Sequence, residues 1–381
     1  MIEITDYQIF NSTEEIPIEW DRFSISNILL TIPYLKFLEK ASPINFTNYF
    51  IGLYAQKELV GVLIVQKVDL QKVEHFGQRD HFLKKLLRNF LFKNFSGQLL
   101  IVGNNLISGT ESFNVHPNVD PKSIGATLER IIELHFKRNV HLTILKDVAN
   151  FFSIFPELTT SPSYFHFTAQ PCMVFTIPAH WNSMEHYIRE LSKKYRDQFK
   201  RCRRKGEGLI KKVFSVDEIQ FYENEMYELY LHVANHAPFN TFFLPKNHFV
   251  ELKKQLKENF RVCGYYLEGK LVGFNSIIIN NHSLETYFLG YEEKVQRDQM
   301  LYLNMLYDML EFGINDHFQS INFGRTAMEI KSSIGAEAIC LDSFMQHTNP
   351  LINKYLASIY QLLEPKVEWK ARHPFKVPKV L

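Results

Sequence analysis

The chain has 381 residues, 46% hydrophobic and 22% charged, with a formal net charge of +2; this suits two ordinary globular domains with ample core. No apolar run approaches the roughly 18–20 residues that span a bilayer, and the opening MIEITDYQIF lacks the basic start and small-residue cleavage site of a secretory signal. Cys172, Cys202, Cys263 and Cys340 are scattered with no CxxC pair, which excludes a disulfide framework and a thiolate metal site and predicts a cytoplasmic location.

The first predicted pair of elements is a hairpin at 51–64, IGLYAQKELVGVLI, and a similar phrase returns at 263–276 as CGYYLEGKLVGFNS. Five of the fourteen aligned positions are identical: Gly52/Gly264, Tyr54/Tyr266, Leu59/Leu271, Val60/Val272 and Gly61/Gly273. Each copy reads as strand, tight turn, strand, turning at Gln56-Lys57-Glu58 or Glu268-Gly269-Lys270. Self-similarity at a separation of 212 residues predicts a duplicated domain.

After the first hairpin, a basic and aromatic segment at 75–95 reads as an insertion. A strand at 99–103 follows, then a helix with Asp120 as N-cap and Pro121 at its first position. HLTIL (141–145) is the next strand. Asn182 and Glu185 then make a capping-box-like start to a helix that stops at Gly206. Met184, Ile188, Leu191, Tyr195, Phe199 and Cys202 form one apolar stripe along it; Arg196, Lys200, Arg203 and Arg204 fall mostly off that stripe. Between Lys193 and Lys212 stand ten Lys/Arg against Asp197 and Glu207, a local charge of +8. Ser215 and Glu218 form a capping box that opens a helix to about His236, and Pro245 begins another with Phe249, Leu252 and Leu256 inward.

After the second hairpin, a strand at 284–290 (LETYFLG), a helix around 299–313 and a strand at 320–324 (SINFG) repeat the order of the first half. Gly103 and Gly290 take matching places at strand ends. Beyond Pro350 come one more amphipathic helix and a basic tail, EWKARHPFKVPKVL. The alternation predicts an α/β (α+β) chain of two tandem domains, each a mixed, mostly antiparallel sheet flanked by helices. The predicted boundaries are 1–170, 171–349 and, for the C-terminal helix and tail, 350–381.

The segment GYYLEGKLVGFNSIII, with LETYFLGY and the helix after it, resembles the core of the GNAT (Gcn5-related) acyltransferase fold. SINFGRTAMEIKSSIGAE (320–337) and LSKKYRDQFKRCRRKG (191–206) are similar to segments of the Fem-type aminoacyl transferases, which are tandem GNAT proteins. The resemblance covers 181–340 firmly and 1–170 more loosely. It implies an acyltransferase with acyl-CoA as co-substrate and no metal, acting on an amine acceptor in a cleft between the domains. The first domain would be a degenerate copy. Two other readings stay open: tRNA-dependent aminoacyl transfer to a cell-wall precursor, and a non-catalytic binding protein of this fold. One departure bears on the donor. GNAT enzymes bind coenzyme A pyrophosphate with an Arg/Gln-x-x-Gly-x-Gly/Ala turn at a helix start. Here that stretch is Gln296-Arg297-Asp298-Gln299-Met300-Leu301-Tyr302, without either glycine.

Acyl transfer to an amine needs a base for the amine proton, donors for the oxyanion and two substrates held in line. Glu285, on the predicted fourth strand of the second copy, is where GNAT enzymes often place a general base; Tyr287 shares its face by period two. Arg325 and Lys331 follow a strand end beside Gly324, where α/β sites gather, and Lys331 matches a Fem-type lysine near the reacting centre. With Arg297, Arg325 is a candidate phosphate or carboxylate fork. A charge run is ordinarily a solvated helix face, but one of +8 is not sign-balanced. It predicts polyanion contact through Arg196, Lys200, Arg203 and Arg204, with tRNA, coenzyme A phosphates, or a nucleotide- or lipid-phosphate substrate as the partner. His232 and His236 stand at metal-capable spacing without an evident third ligand and read as packing or capping groups.

Overall fold

Both copies of the repeated phrase form the hairpin they predict. The computed structural model describes residues 1–73, 97–148, 163–237, 240–363 and 368–376, so the 75–95 insertion lies outside the described residues. The first sheet contains β1 (Asp6–Phe10), β2 (Phe46–Ala55), β3 (Glu58–Asp69), β4 (Gln98–Val102), β5 (Phe113–Val115), β6 (Leu142–Val148) and β7 (Phe165–Thr168). The second contains β8 (Cys172–Thr176), β9 (Ile210–Val213), β10 (Phe260–Leu267), β11 (Lys270–Asn280), β12 (Ser283–Thr286), β13 (Gly290–Tyr291), β14 (Ser320–Asn322) and β15 (Glu337–Ile339). A last strand, β16 (Asp342–His347), returns to the first sheet between β6 and β7.

The hairpin turns carry two successive left-handed residues, Gln56 and Lys57 (φ 50° and 73°) or Glu268 and Gly269 (52° and 79°). That geometry matches the natural twist of paired strands. The register slips at the same place in both. Leu53 faces Gly61 while Tyr54 faces Leu59, and Tyr265 faces Gly273 while Tyr266 faces Leu271. Val60 and Val272 are therefore matching bulge residues. Gly273 lets the side-chain ends of Leu301 and Met305 approach the strand: a Cβ there would stand 2.9 Å from both.

The sheets match strand for strand. Their orders are β1–β2–β3–β4–β6–β16–β7 with β5 on β3, and β9–β10–β11–β12–β14–β8–β15 with β13 on β11. In each, one parallel pair (β4 with β6, β12 with β14) interrupts an antiparallel ladder. The ladders correct one sequence alignment. Val102 faces Val65 and Thr286 faces Ile277, so Gly103 corresponds to Tyr287 rather than to Gly290. Gly290 faces Phe274 and corresponds to Asn114, which faces Val62.

The chain divides into a unit of Met1–Ala169, Ala237–Glu251 and Leu341–Lys366, and a second of Gln170–His236, Leu252–Cys340 and Val367–Leu381. The linear boundary at 349 differs from this division because β16 pairs with β6 and β7, not with the second sheet, and Ala237–Glu251 also falls in the first unit.

The helices used below are α1 (Ile32–Ala41) and α2 (Pro121–Ile131), then α3 (Met184–Glu190), α4 (Lys193–Lys205), α5 (Val216–Phe221), α6 (Glu223–His236) and α7 (His248–Leu256). They end with α8 (Glu293–Gln299), α9 (Leu301–Asn315) and α10 (Met328–Ser332). Asp120 caps α2 and the Ser215/Glu218 capping box opens α5, as the sequence predicts. The helix expected over 182–206 is broken at Leu191, which is extended (φ −61°, ψ 141°), so its single apolar stripe is shared by α3 and α4. The helix expected around 299–313 is preceded by α8, with Met300 in a left-handed conformation between them.

Candidate active site

In the second unit the central strands part. β12 pairs with β14 in parallel over Ser283–Glu285 and Ser320–Asn322 only. Beyond that, Tyr287–Leu289 bulge against β11, and β13 resumes the pairing at Gly290. β14 continues away from them, because the Phe323 amide bonds the Met173 carbonyl and the Met173 amide bonds the Gly324 carbonyl. The sheet thus opens at the ends of two adjacent parallel strands, the position where α/β folds collect functional groups.

Buried polar residues line the start of this opening. Glu285 is 5% exposed; it accepts hydrogen bonds from Ser283 Oγ at 3.2 Å and from Asn322 Nδ2 at 2.8 Å. Asn322 Oδ1 accepts the Gly324 amide at 2.9 Å. Lys331 Nζ in turn donates to the carbonyls of Gly324 (3.3 Å) and Arg325 (2.7 Å). A continuous chain of hydrogen bonds therefore runs Glu285–Asn322–Gly324–Lys331. The loop that carries it is strained, with Gly324, Thr326 and Ala327 all at positive φ (67°, 67° and 46°). Such conformations cost about 1–3 kcal/mol each for non-glycine residues and persist where the surroundings over-determine them.

Lys331 lies at 4% exposure. Burial disfavours its charged form and pushes its pKa down to about 7, against a smaller upward pull from Cys172 on β8. Near neutral pH the amine is present in both protonation states, the condition for moving protons.

The other sequence candidates are placed as follows. Tyr287 sits in the bulge, its ring edge-on to Phe260 and Phe288. Phe260 faces Ile278, which faces Glu285, so Tyr287 and Glu285 share a sheet face. Arg325 lies in the strained loop, and its carbonyl holds Lys331. Arg297 is an exposed residue of α8, 3.2 Å from Glu293 one turn earlier. The start of α9, where a coenzyme pyrophosphate would bind by the resemblance, is occupied from within. Gln296 Oε1 accepts the Tyr302 amide, the Asn304 amide bonds the Met300 carbonyl, and Leu301 is fully buried.

The basic helix α4 divides into two sets. Arg196 turns back onto the Leu191 carbonyl. Arg203 reaches Asp308 on α9 at 2.8 Å, where Lys211 (3.1 Å) and Tyr265 (2.9 Å) also bond the same carboxylate. Lys212 pairs with Glu218. Lys193, Lys194, Lys200, Arg201, Arg204 and Lys205 are exposed. His236 Nδ1 shares a hydrogen bond with the His232 carbonyl, and His232 stands 3.9 Å from Glu293.

Sequence reasoning missed Asn322. An asparagine inside a predicted strand was the available signal, since the amide side chain is depleted from strands. The register also shows what the first copy lacks. Ile101 and Ile144 face one another across the parallel pair where Glu285 and Asn322 do in the second. On the other face of that sheet is a small cavity of about 30 Å³ lined by Leu63, Val102, Phe113, Leu128, Leu145 and Lys146.

Comparisons with known proteins agree with this architecture. Residues 193–332 match the family model of the acetyltransferase (GNAT) domain. Two solved structures share the fold at 10% identity. One, titled as the crystal structure of FemX, covers 95% of this chain and 100% of its own, with a TM-score of 0.55. The other, titled as a tandem GNAT protein from the clavulanic acid biosynthesis pathway, covers 91% and 99%, with a TM-score of 0.50. A search of curated protein sequences finds no match.

Proposed function

We propose that this tandem GNAT acyltransferase moves an aminoacyl group from a tRNA-borne ester to an amine, at the opening between β12 and β14. The observation that carries the site is the buried chain Glu285–Asn322–Gly324–Lys331, which the first copy replaces with isoleucines at the two strand positions.

Glu285 takes a proton from the acceptor ammonium, freeing the nitrogen lone pair to attack the carbonyl carbon. The tetrahedral intermediate collapses with cleavage of the ester C–O bond. Lys331 gives its proton to the leaving oxygen and recovers one from solvent, and the new amide nitrogen releases its surplus proton. Asn322 orients the Glu285 carboxylate, and the loop carbonyls fix the Lys331 amine.

Two features favour tRNA over coenzyme A as the donor's carrier. The amides at the start of α9 that would hold a pyrophosphate are already bonded or buried. The exposed side of α4 keeps six cations for a long polyanion. The reading in which acyl-CoA is the donor rests on the GNAT domain match over 193–332.

Thermal unfolding with saturating acetyl-CoA and longer acyl-CoAs, beside tRNA binding over a salt series, separates these donors. The expected result is no shift with coenzyme A esters and salt-sensitive tRNA binding. A Lys200→Glu/Arg201→Glu/Arg204→Glu variant should weaken that binding by about tenfold or more. A clear acyl-CoA shift without tRNA binding would move the donor to coenzyme A. Silence in both assays would leave a binding protein of this fold.

A further inference from the structure

The C-terminal segment 368–376 lies against the same helix that carries Lys331. Phe375 forms an isolated bridge with Leu191, at the break between α3 and α4. Its ring meets Phe175, Trp181 and Tyr187 with centroids 6.3, 6.0 and 5.9 Å away. Gly335, at φ +105°, leaves room for that ring, since a Cβ there would stand 2.6 Å from it. The backbone is tied on both sides of Phe375: the Ser192 amide donates to the Pro374 carbonyl at 2.8 Å, and the Lys376 amide to Glu190 at 2.9 Å. Three residues earlier, the Arg372 amide donates to Ser332 Oγ at 3.1 Å and its guanidinium pairs with Glu329.

Glu329 and Ser332 flank Lys331 on α10. That helix has five residues and no side-chain cap at Ala327. A helix so short has no stability of its own, so its orientation is set by what it packs against. Besides the tail, Met328 and Ile334 are buried in the core of this unit, Gln198 donates to Ser333 Oγ at 3.1 Å, and the Tyr187 hydroxyl donates to the Ile334 carbonyl at 3.1 Å. Tyr187 itself packs on Phe375, 5.9 Å between centroids.

We propose that residues 368–376 are a positioning strap, with Phe375 as its anchor and Arg372 as its clamp on Glu329, holding α10 so that Lys331 stays seated on the Gly324–Arg325 loop. The sequence shows only a basic tail here; the strap uses one aromatic and one arginine of it. The proposal rests on the active-site reading for its consequence, but its test needs no substrate, so it can fail while that reading stands, and the reverse.

The test is hydrogen exchange by mass spectrometry on the full chain, comparing Arg372→Glu, Glu329→Arg, the double exchange Glu329→Arg/Arg372→Glu, and Phe375→Ala. Each charge reversal is expected to speed exchange of amides 326–334 by about fivefold, and the double variant to bring it back within about twofold of the parent. Phe375→Ala is expected to speed the same amides by about tenfold or more. The reaction of Lys331 with an amine-directed acylating reagent, read by mass spectrometry, should rise in the three single variants and fall back in the double. Unchanged exchange at 326–334, a double variant no better than the singles, or a rise spread evenly over the whole second unit would each overturn the strap.

Discussion

At the scale of a residue, Lys331 is costly to keep. A lysine with a folded pKa of about 7 and an ordinary unfolded value of 10.5 favours the charged form only when unfolded. Between those values the unfolded chain holds a proton that the folded one has released. Folding stability therefore rises with pH across that window, by up to about 1.4 kcal/mol per pH unit, and the full penalty is present below pH 7. A Lys331→Met variant removes the titration while filling similar space. It should be more stable than the parent at pH 7 by a few kcal/mol, with the advantage shrinking toward pH 10; urea unfolding at pH 7 and 9.5 reads both. An advantage independent of pH would mean that Lys331 stays charged. The same residue is proposed to be catalytic, so stability and activity are expected to trade against one another. Glu285→Gln is its counterpart. It keeps the shape and the hydrogen bond to Ser283, removes the base, and should lower transfer by about 10²–10⁴-fold with little change in melting temperature.

At the scale of an element, α4 shows that a run of like charges is two structures at once. Its inward side is part of a network in which Asp308, with a side chain 10% exposed, receives Arg203, Lys211 and Tyr265. Asn275 Nδ2 extends it to the Tyr265 hydroxyl at 3.0 Å. This network ties α4 and β9 to α9 and to the second hairpin. Its outward cations make no ion pair among the described residues. Asp308→Ala, which leaves Arg203 with Glu311 alone at 3.7 Å and the buried Tyr265 hydroxyl without its acceptor, should destabilise the second unit by about 2 kcal/mol. The triple reversal of Lys200, Arg201 and Arg204 should change stability by no more than about 0.5 kcal/mol while weakening polyanion binding. Urea midpoints of the two variants check this directly. Equal losses in both would show that the outward cations are structural too.

At the scale of the whole molecule, the duplication was legible because a hairpin writes its geometry locally. Two left-handed turn residues, a bulge valine and the glycine that follows it are all fixed by neighbours in sequence. The strand order was not legible, because β16 reaches the first sheet from beyond the second, and long-range pairing leaves no local mark. Glu285 and Lys331 could be named from their places after the second hairpin, but Asn322, which joins them, could be placed only by the parallel register of β12 and β14. The two units also carry pH liabilities of the same sign in different windows. In the first, His248 on α7 is fully buried, its Nδ1 bonding the Ala41 carbonyl at the end of α1 at 2.8 Å and its ring 4.9 Å from Phe37. Burial pushes its pKa down to about 3, outweighing the upward effect of the Ala41 hydrogen bond. Because the folded value lies below the ordinary 6.5, the unfolded chain takes up a proton that the folded unit refuses as pH falls. The first unit therefore loses stability from pH 6.5 down toward 3, by up to about 1.4 kcal/mol per pH unit, while the Lys331 penalty in the second is unchanged there. Hydrogen exchange at pH 7 and pH 5, with intrinsic rates corrected, should show protection falling in the first unit and holding in the second. A His248→Asn variant, uncharged throughout, should lose that acid-side difference. If both units soften together at pH 5 and the variant behaves like the parent, His248 is not the group that sets the acid limit.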